Sequence, residues 1–349
     1  EQQLEVFGRT ISPSDEEEVL ARTREFLNWR FASAHEVIES ASWLRIDRIG
    51  MRMLNASALS GAECVYLRLL ITGAGEKNVK FVMIDEVQDY TETQLMVLGK
   101  YFSRAHFLLL GDSNQAIWED TTTFEQIEKI FTATHGEGAI STCKLLTSYR
   151  SSPEITALFT SLLGEEERGQ TSSVQRGGKK PEFFEVVADN KDTERAEYLQ
   201  TMKSLIEQAQ EFDGLTAIVC TEKSRVRWLA KQLEGVFAEG GNGVADGTTD
   251  VVAGNGAAQA NGAVQAKLCT GVKVLTSHDS LPAKGVVLLD LALAKGLEFD
   301  QVIVADAQEE VYKADGISRR RLYTALSRAM HHVMVVSQGK MTPLLSKLL

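Results

Sequence analysis

With 349 residues, 44% hydrophobic and 24% charged, the chain has the composition of a folded protein and room for two domains with separate cores. Its net charge of −11 argues against a surface broadly given over to nucleic acid, although a locally basic groove stays open because local charge meets phosphate. No apolar run is long enough to span a bilayer, nothing resembles a secretory leader, and Cys64, Cys143, Cys220 and Cys269 form no CxxC pair, which together point to a cytoplasmic chain without a membrane partner.

The chain opens on a helical pattern. Ser14 and Glu17 have capping-box spacing behind Pro13, and the acidic run follows where a helix N-terminus favours negative charge. Helical patterning continues with breaks to about Leu70, and Gly73 and Gly75 mark a turn. Lys80 to Ile84 is then a nearly continuous apolar run ending at Asp85, and His106 to Leu110 is another ending at Gly111-Asp112. Runs without alternation predict strands covered on both faces, as in a parallel sheet.

After Pro153 the pattern repeats. Phe183 to Val187 predicts a strand, and the helix behind it carries Ala196, Leu199, Met202 and Ile206 on one face. Thr216 to Cys220 predicts the next strand, followed by a helix with Val226, Leu229 and Leu233. Val272–Leu275, Val286–Leu289, Val302–Ala305 and Val333–Val336 complete the strands. Strands alternating with helices predict an α/β fold with a doubly wound parallel sheet. Between Gly235 and Gly262 lie eight glycines and no Lys or Arg, so the stretch at about 235–266 reads as a flexible surface insertion.

Five stretches carry candidate chemistry. Ile84-Asp85-Glu86-Val87-Gln88-Asp89 puts carboxylates at the C-terminal edge of a strand, where α/β sheets bind ligands. Phosphoryl transfer needs a hard oxygen ligand for Mg²⁺ and a group that orients or deprotonates water, and an adjacent Asp and Glu can divide those tasks. The plainer alternative is a solvated acidic turn. Gly111 to Trp118 is a polar loop past a strand, in which Gln115 can sense a γ-phosphate and Trp118 offers a face for base stacking or serves as a rim residue. Ser148-Tyr149-Arg150-Ser151 and the run Arg319 to Ala329 supply arginines, of which Arg150 and Arg328 are candidates for neutralising transferred phosphate and Arg319–Arg321 for a positioning or salt-bridge patch. Ala294 to Asp300 is a glycine turn with a charged pair leading into a strand.

In this order the five resemble motifs II to VI of UvrD/Rep-type superfamily-one helicases, over about Lys80 to Val336. The resemblance implies ATP and Mg²⁺ as cofactors, and RecA-like parallel-sheet lobes: a partial first lobe, a complete second lobe and an N-terminal helical segment. It implies that Asp85 ligands Mg²⁺, Glu86 activates water, Gln115, Arg150 and Arg328 meet the γ-phosphate, Glu298 meets the nucleotide sugar, and Trp118 stacks on single-stranded DNA. The expected domains are 1–78, a helical remnant of an accessory insertion; 79–147, the C-terminal part of the first lobe; and 148–349, the second lobe. Nucleotide would bind between the lobes.

The sequence departs from that family in three places. GxxxxGK[ST] is absent; with Glu1 rather than Met first, the chain is expected to be a processed or excised piece, its phosphate-binding loop upstream, and inactive alone. Asp290-Leu291-Ala292 stands where these enzymes usually carry Thr-x-His, which removes groups expected to meet a nucleic-acid backbone. The interval from Arg150 to Lys295 leaves no room for a large inserted helical subdomain. That compactness most resembles the HelD, helicase-IV-like branch, whose resemblance implies RNA polymerase as a partner. Three functions follow: a DNA helicase or translocase, a HelD-like ATPase remodelling RNA polymerase, and a non-catalytic interaction module.

Overall fold

The computed structural model describes residues 16–39, 43–73, 75–119, 121–138, 140–145, 147–164, 168, 172–239 and 271–346. Pro13, Ser14, Cys269 and most of the glycine-rich stretch lie outside the described residues. The chain divides into two compact units. One comprises Glu1–Val82, Glu92–Leu108 and Ile130–Glu137; the other comprises Met83–Thr91, Leu109–Lys129 and Gly138–Leu349.

The described residues begin with four helices, α1 (Glu16–Arg30), α2 (Ala34–Glu39), α3 (Ile46–Leu54) and α4 (Gly61–Thr72). The capping box found among the described residues starts α4: Ser60 Oγ accepts from the Glu63 amide, and Glu63 reaches back to the Ser60 amide. Gly73 ends that helix with φ 62°, the left-handed cap that glycine adopts without a Cβ clash. Strand β1 (Phe81–Ile84), helix α5 (Glu92–Tyr101), strand β2 (His106–Leu109) and helix α6 (Phe124–His135) follow. The His106 amide bonds Lys80 O and the Leu110 amide bonds Ile84 O, so β1 and β2 run parallel. In the first unit Phe107, Phe131 and His135 cluster, with Leu95, Val97 and Ala105 buried.

The second unit is built on one sheet. After β3 (Thr147–Ser148), α7 (Pro153–Thr160) and β4 (Ser172–Ser173) come β5 (Glu182–Val186), α8 (Lys191–Gln210), β6 (Leu215–Cys220) and α9 (Lys223–Glu239). The chain continues with β7 (Val272–Val274), β8 (Gly285–Asp290), α10 (Leu291–Ala294), β9 (Phe299–Val304), α11 (Gly316–Leu326) and β10 (Ala329–Gln338). Six strands pair in the order β5-β10-β9-β6-β8-β7, every pair parallel. This is the α/β, doubly wound parallel sheet that strands alternating with helices predict.

Successive strand residues go to opposite faces. Ala217, Val219, Val302, Val304, Val333 and Val335 join one core with α7 and α11 residues. Ile218, Cys220, Ile303, Ala305, Met334 and Val336 join the other with α8 and α9 residues. Both faces are therefore dry, which is why the strands do not alternate with polar residues. On α8 the buried face is Tyr198, Leu199, Met202, Leu205, Ile206 and Ala209. Ala196 is exposed, because the buried arc extends from Leu199 through Tyr198, Leu205 and Ala209 and leaves Ala196 beyond its other edge.

Strand β6 leads to α9 on one face, whereas β9 leads towards α11 on the other, so the sheet switches direction between these neighbours. At that crevice the Thr221 amide donates to Asp306 Oδ2 at 2.8 Å.

Candidate nucleotide site

All seven sequence-predicted site residues lie in the second unit. Strand β1 ends at Ile84, and the chain turns sharply: Glu86 has φ 51°, left-handed backbone that a side chain makes costly. The turn leaves the Asp85 carboxylate exposed, its Oδ1 accepting the Glu86 amide at 2.9 Å. Glu86 Oε2 accepts a short bond from Gln88 Nε2.

Gln88 is 1% exposed and bridges two motifs, because its Oε1 accepts the Asp112 amide at 3.1 Å. Only glycine fits beside that bridge: a Cβ on Gly111 would stand 2.2 Å from Gln88 Oε1. Asp112 then organises the next loop. Its Oδ1 accepts the Asn114 amide at 2.9 Å and its Oδ2 accepts Gln115 Nε2 at 2.9 Å. That leaves Gln115 Oε1 facing outward from the loop, where it accepts Arg328 Nη2 at 2.6 Å. A hydrogen-bonded series thus runs from Glu86 through Gln88, Asp112 and Gln115 to Arg328.

Arg328 is 1% exposed. Its other donors reach Thr324 O, Leu297 O and Ser327 Oγ, all uncharged. Among the described residues no carboxylate comes within ion-pair distance of it, although Glu86 and Glu298 lie near enough to favour its charge. Burial, followed by repulsion from Arg150, pushes its pKa down to about 10. Arg150 pairs with Glu298 at 2.5 Å, both side chains about two-fifths exposed at 41% and 42%. An ion pair so open to water contributes on the order of 0–1 kcal/mol and exchanges partners at little cost.

Ser151 and Ser152 hold Arg150's strand end in place. Ser151 Oγ donates to Ala329 O at 2.7 Å, and the Ser152 amide donates to Met330 O at 2.9 Å. Trp118 stands apart from these groups, 49% exposed beside the buried Ile117. Asp290 has a local role: it caps α10, accepting the Leu293 amide at 3.1 Å, and is 7% exposed.

Sequence reasoning assigned no role to Lys295, Gln88 or Asp112. The Lys295 side chain is 7% exposed, and its Nζ lies 2.5 Å from Asp89 Oδ1, 2.7 Å from Gln115 O and 3.8 Å from Glu86 Oε2. Its pairing spans more than two hundred residues, and the available signal was the glycine turn behind it. For Gln88 and Asp112 the signal was an amide between two carboxylates and an Asp two residues ahead of an Asn.

The donor set fits a magnesium nucleotide. Asp85 supplies an exposed hard oxygen, enough for an ion that takes one or two carboxylates and fills its sphere with water and phosphate. Arg328 meets the Gln115 amide and lies near enough to Arg150 to feel its charge, a donor set of the kind that suits phosphate. A glycine-rich amide cradle with its Lys is not in the sequence.

Residues 47–129 match the UvrD/REP helicase N-terminal domain, and residues 285–336 match the UvrD-like helicase C-terminal domain. No curated protein matches the chain. Similar solved structures include the C-terminal domain of a possible DNA helicase from Lactobacillus plantarum WCFS1, 27% identical over 58% of this chain and 94% of that one, with a TM-score of 0.36. Two stretches of the chain are thus similar, in this order, to the UvrD/REP N-terminal and UvrD-like C-terminal helicase domains.

Proposed function

We propose that these residues form the C-terminal portion of an ATP-driven superfamily-one DNA helicase or translocase. Arg328 is the observation that supports this most directly: a buried guanidinium is costly without a counter-ion, and here its donors reach neutral acceptors. A phosphate oxygen supplies the missing negative charge. Arg150 leaves its exposed pair with Glu298 to meet the same phosphate, which frees the Glu298 carboxylate for a sugar hydroxyl.

Asp85 would hold a magnesium ion, which would neutralise phosphate charge. Glu86, oriented by Gln88, accepts the proton of the attacking water, and Gln115 reports the occupied site to the loop that carries Trp118. Trp118 stacks on single-stranded DNA. The domain limits that accompany this reading are 1–78 for the helical accessory remnant, 79–147 for first-lobe residues and 148–349 for the second lobe.

The test uses a fluorescent adenine nucleotide with Mg²⁺. Weak, saturable binding that drops at least tenfold in Arg328→Met and less in Arg150→Met is the expected result. Binding indifferent to both substitutions would sink the nucleotide site. Hydrolysis by this chain is expected at background, since the phosphate cradle is lacking; turnover that disappears in Glu86→Gln would contradict that.

A second reading, an ATPase of the HelD type acting on RNA polymerase, draws on the compact second unit. Between Arg150 and Lys295 the described helices of at least eight residues are α7, α8 and α9. Co-purification with RNA polymerase, with ATP turnover indifferent to added DNA, would favour it over strand movement.

A further inference from the structure

Three consecutive carbonyl oxygens each accept from a different cation. Lys295 Nζ donates to Gln115 O at 2.7 Å, Arg320 Nε to Ala116 O at 2.8 Å, and Arg321 Nε to Ile117 O at 3.1 Å. The turn at Ser113–Gln115 is a single 3-10 turn, so the carbonyls that follow have no helical amides to accept from. Charge-assisted bonds of this kind are about twice as strong as neutral ones. They tie the loop at once to the glycine turn before β9 and to α11. Ile117 adds an apolar anchor, 3% exposed and in the same core as Leu322 and Ala325 of α11. The hold ends there, and the next side chain is the half-exposed indole of Trp118.

We propose that Lys295, Arg320 and Arg321 are positioning residues: a cationic clamp on the 115–117 backbone that sets the pose of Trp118 for stacking on a single-stranded base and keeps it in register with Gln115. The inference rests on the nucleic-acid face proposed above. It assigns Arg320 and Arg321 to carbonyl oxygens of their own chain, which separates them from arginines that touch phosphate. Lys295 also serves Asp89, so the two arginines are the cleaner probes.

The experiment is a double-mutant cycle on this chain, reading the anisotropy of a dye-labelled oligothymidylate. Trp118→Ala is expected to weaken binding about tenfold, within the range for loss of one stacked base. Arg320→Met combined with Arg321→Met is expected to weaken it by a similar factor, and adding Trp118→Ala to that pair should cost no more. The slope of log affinity against log salt should not change in any variant. Arginines that met phosphate would instead give additive losses and a slope shallower by about 0.7 for each contact removed, which overturns the clamp.

Parent-like binding by the folded arginine pair, with Trp118→Ala still weak, would also overturn the clamp while leaving the nucleic-acid face intact. Unchanged binding in Trp118→Ala would remove the face itself. Should the methionine pair fail to fold by thermal melting, Arg320→Lys with Arg321→Lys takes its place, keeping the charge and losing the guanidinium geometry. Weakened binding at an unchanged salt slope supports the clamp; full parental affinity overturns it.

Discussion

Strand β6 reads Leu-Thr-Ala-Ile-Val-Cys and strand β1 reads Phe-Val-Met-Ile, both apolar runs that end at a polar loop, yet their surroundings are opposite. Every residue of β6 is buried, between β8 and β9 and under helices on both faces. In β1, Phe81 is 74% exposed and Met83 70% exposed, and Leu108 in β2 and Leu110 just past it are 47% and 42% exposed. An unbroken apolar run therefore records what a strand can tolerate on its two faces, and the neighbouring elements decide what it receives. A two-stranded pair has little hydrophobic face to share, so it depends on what packs against it.

That contrast can be broken by measurement. The largest effect is expected for Ile218→Ala, at full burial in the centre of β6, which should lower stability by about 2–5 kcal/mol in urea unfolding. A loss under about 1 kcal/mol would mean that the sheet relaxes around the cavity, and the contrast with β1 would weaken.

Next comes the crevice between β6 and β9. Burial pushes the Asp306 carboxyl up to about 6, against the pull of the Thr221 amide and Arg225. The folded state then holds that proton more tightly than the unfolded chain does. Its contribution to stability is greatest at low pH and falls as pH rises from about 4 to about 6. Asp306→Asn removes this slope, so the stability of the variant relative to the parent should rise by about 3 kcal/mol across the window. Parallel pH profiles for the two proteins would show that Asp306 titrates normally.

Smaller effects sharpen the comparison further. Gly111→Ala, which forces a methyl into the Gln88 bridge, should cost about 1–3 kcal/mol in thermal unfolding. Ser60→Ala, which removes one half of the α4 capping box, should cost about 1 kcal/mol, measured as lost helical signal from the first unit. Met83→Ser should change stability by less than about 0.5 kcal/mol. A cost like that of Ile218→Ala would show that β1 is covered in solution and would erase the contrast from which these predictions start.

The centre of the sheet was legible because β6, β8, β9 and β10 carry apolar runs bounded by turn residues, a local signal. Val226, Leu229 and Leu233 of α9 were legible for the same reason, through helical spacing. Ala196 misled because it sits three residues before Leu199, just outside the buried arc, which extends the other way through Tyr198. At the site, sequence order placed the motifs but not their couplings. The bonds from Arg328 to Gln115 and from Lys295 to Asp89 join residues about two hundred positions apart, a distance at which no local pattern reports. Asp290 as the cap of α10 was within reach, since an Asp ahead of Leu-Ala-Leu-Ala is an ordinary helix start.

The left-handed backbone of Glu86 has a consequence for anyone who selects this protein for durability. Glycine adopts φ 51° without a Cβ penalty, so Glu86→Gly should relieve strain of about 1 kcal/mol. Under the proposed roles, the same exchange deletes the group that takes the proton from water. A screen for heat resistance alone would therefore reward the loss of this carboxylate, and variants that survive boiling best would be the first to check for a silent active site.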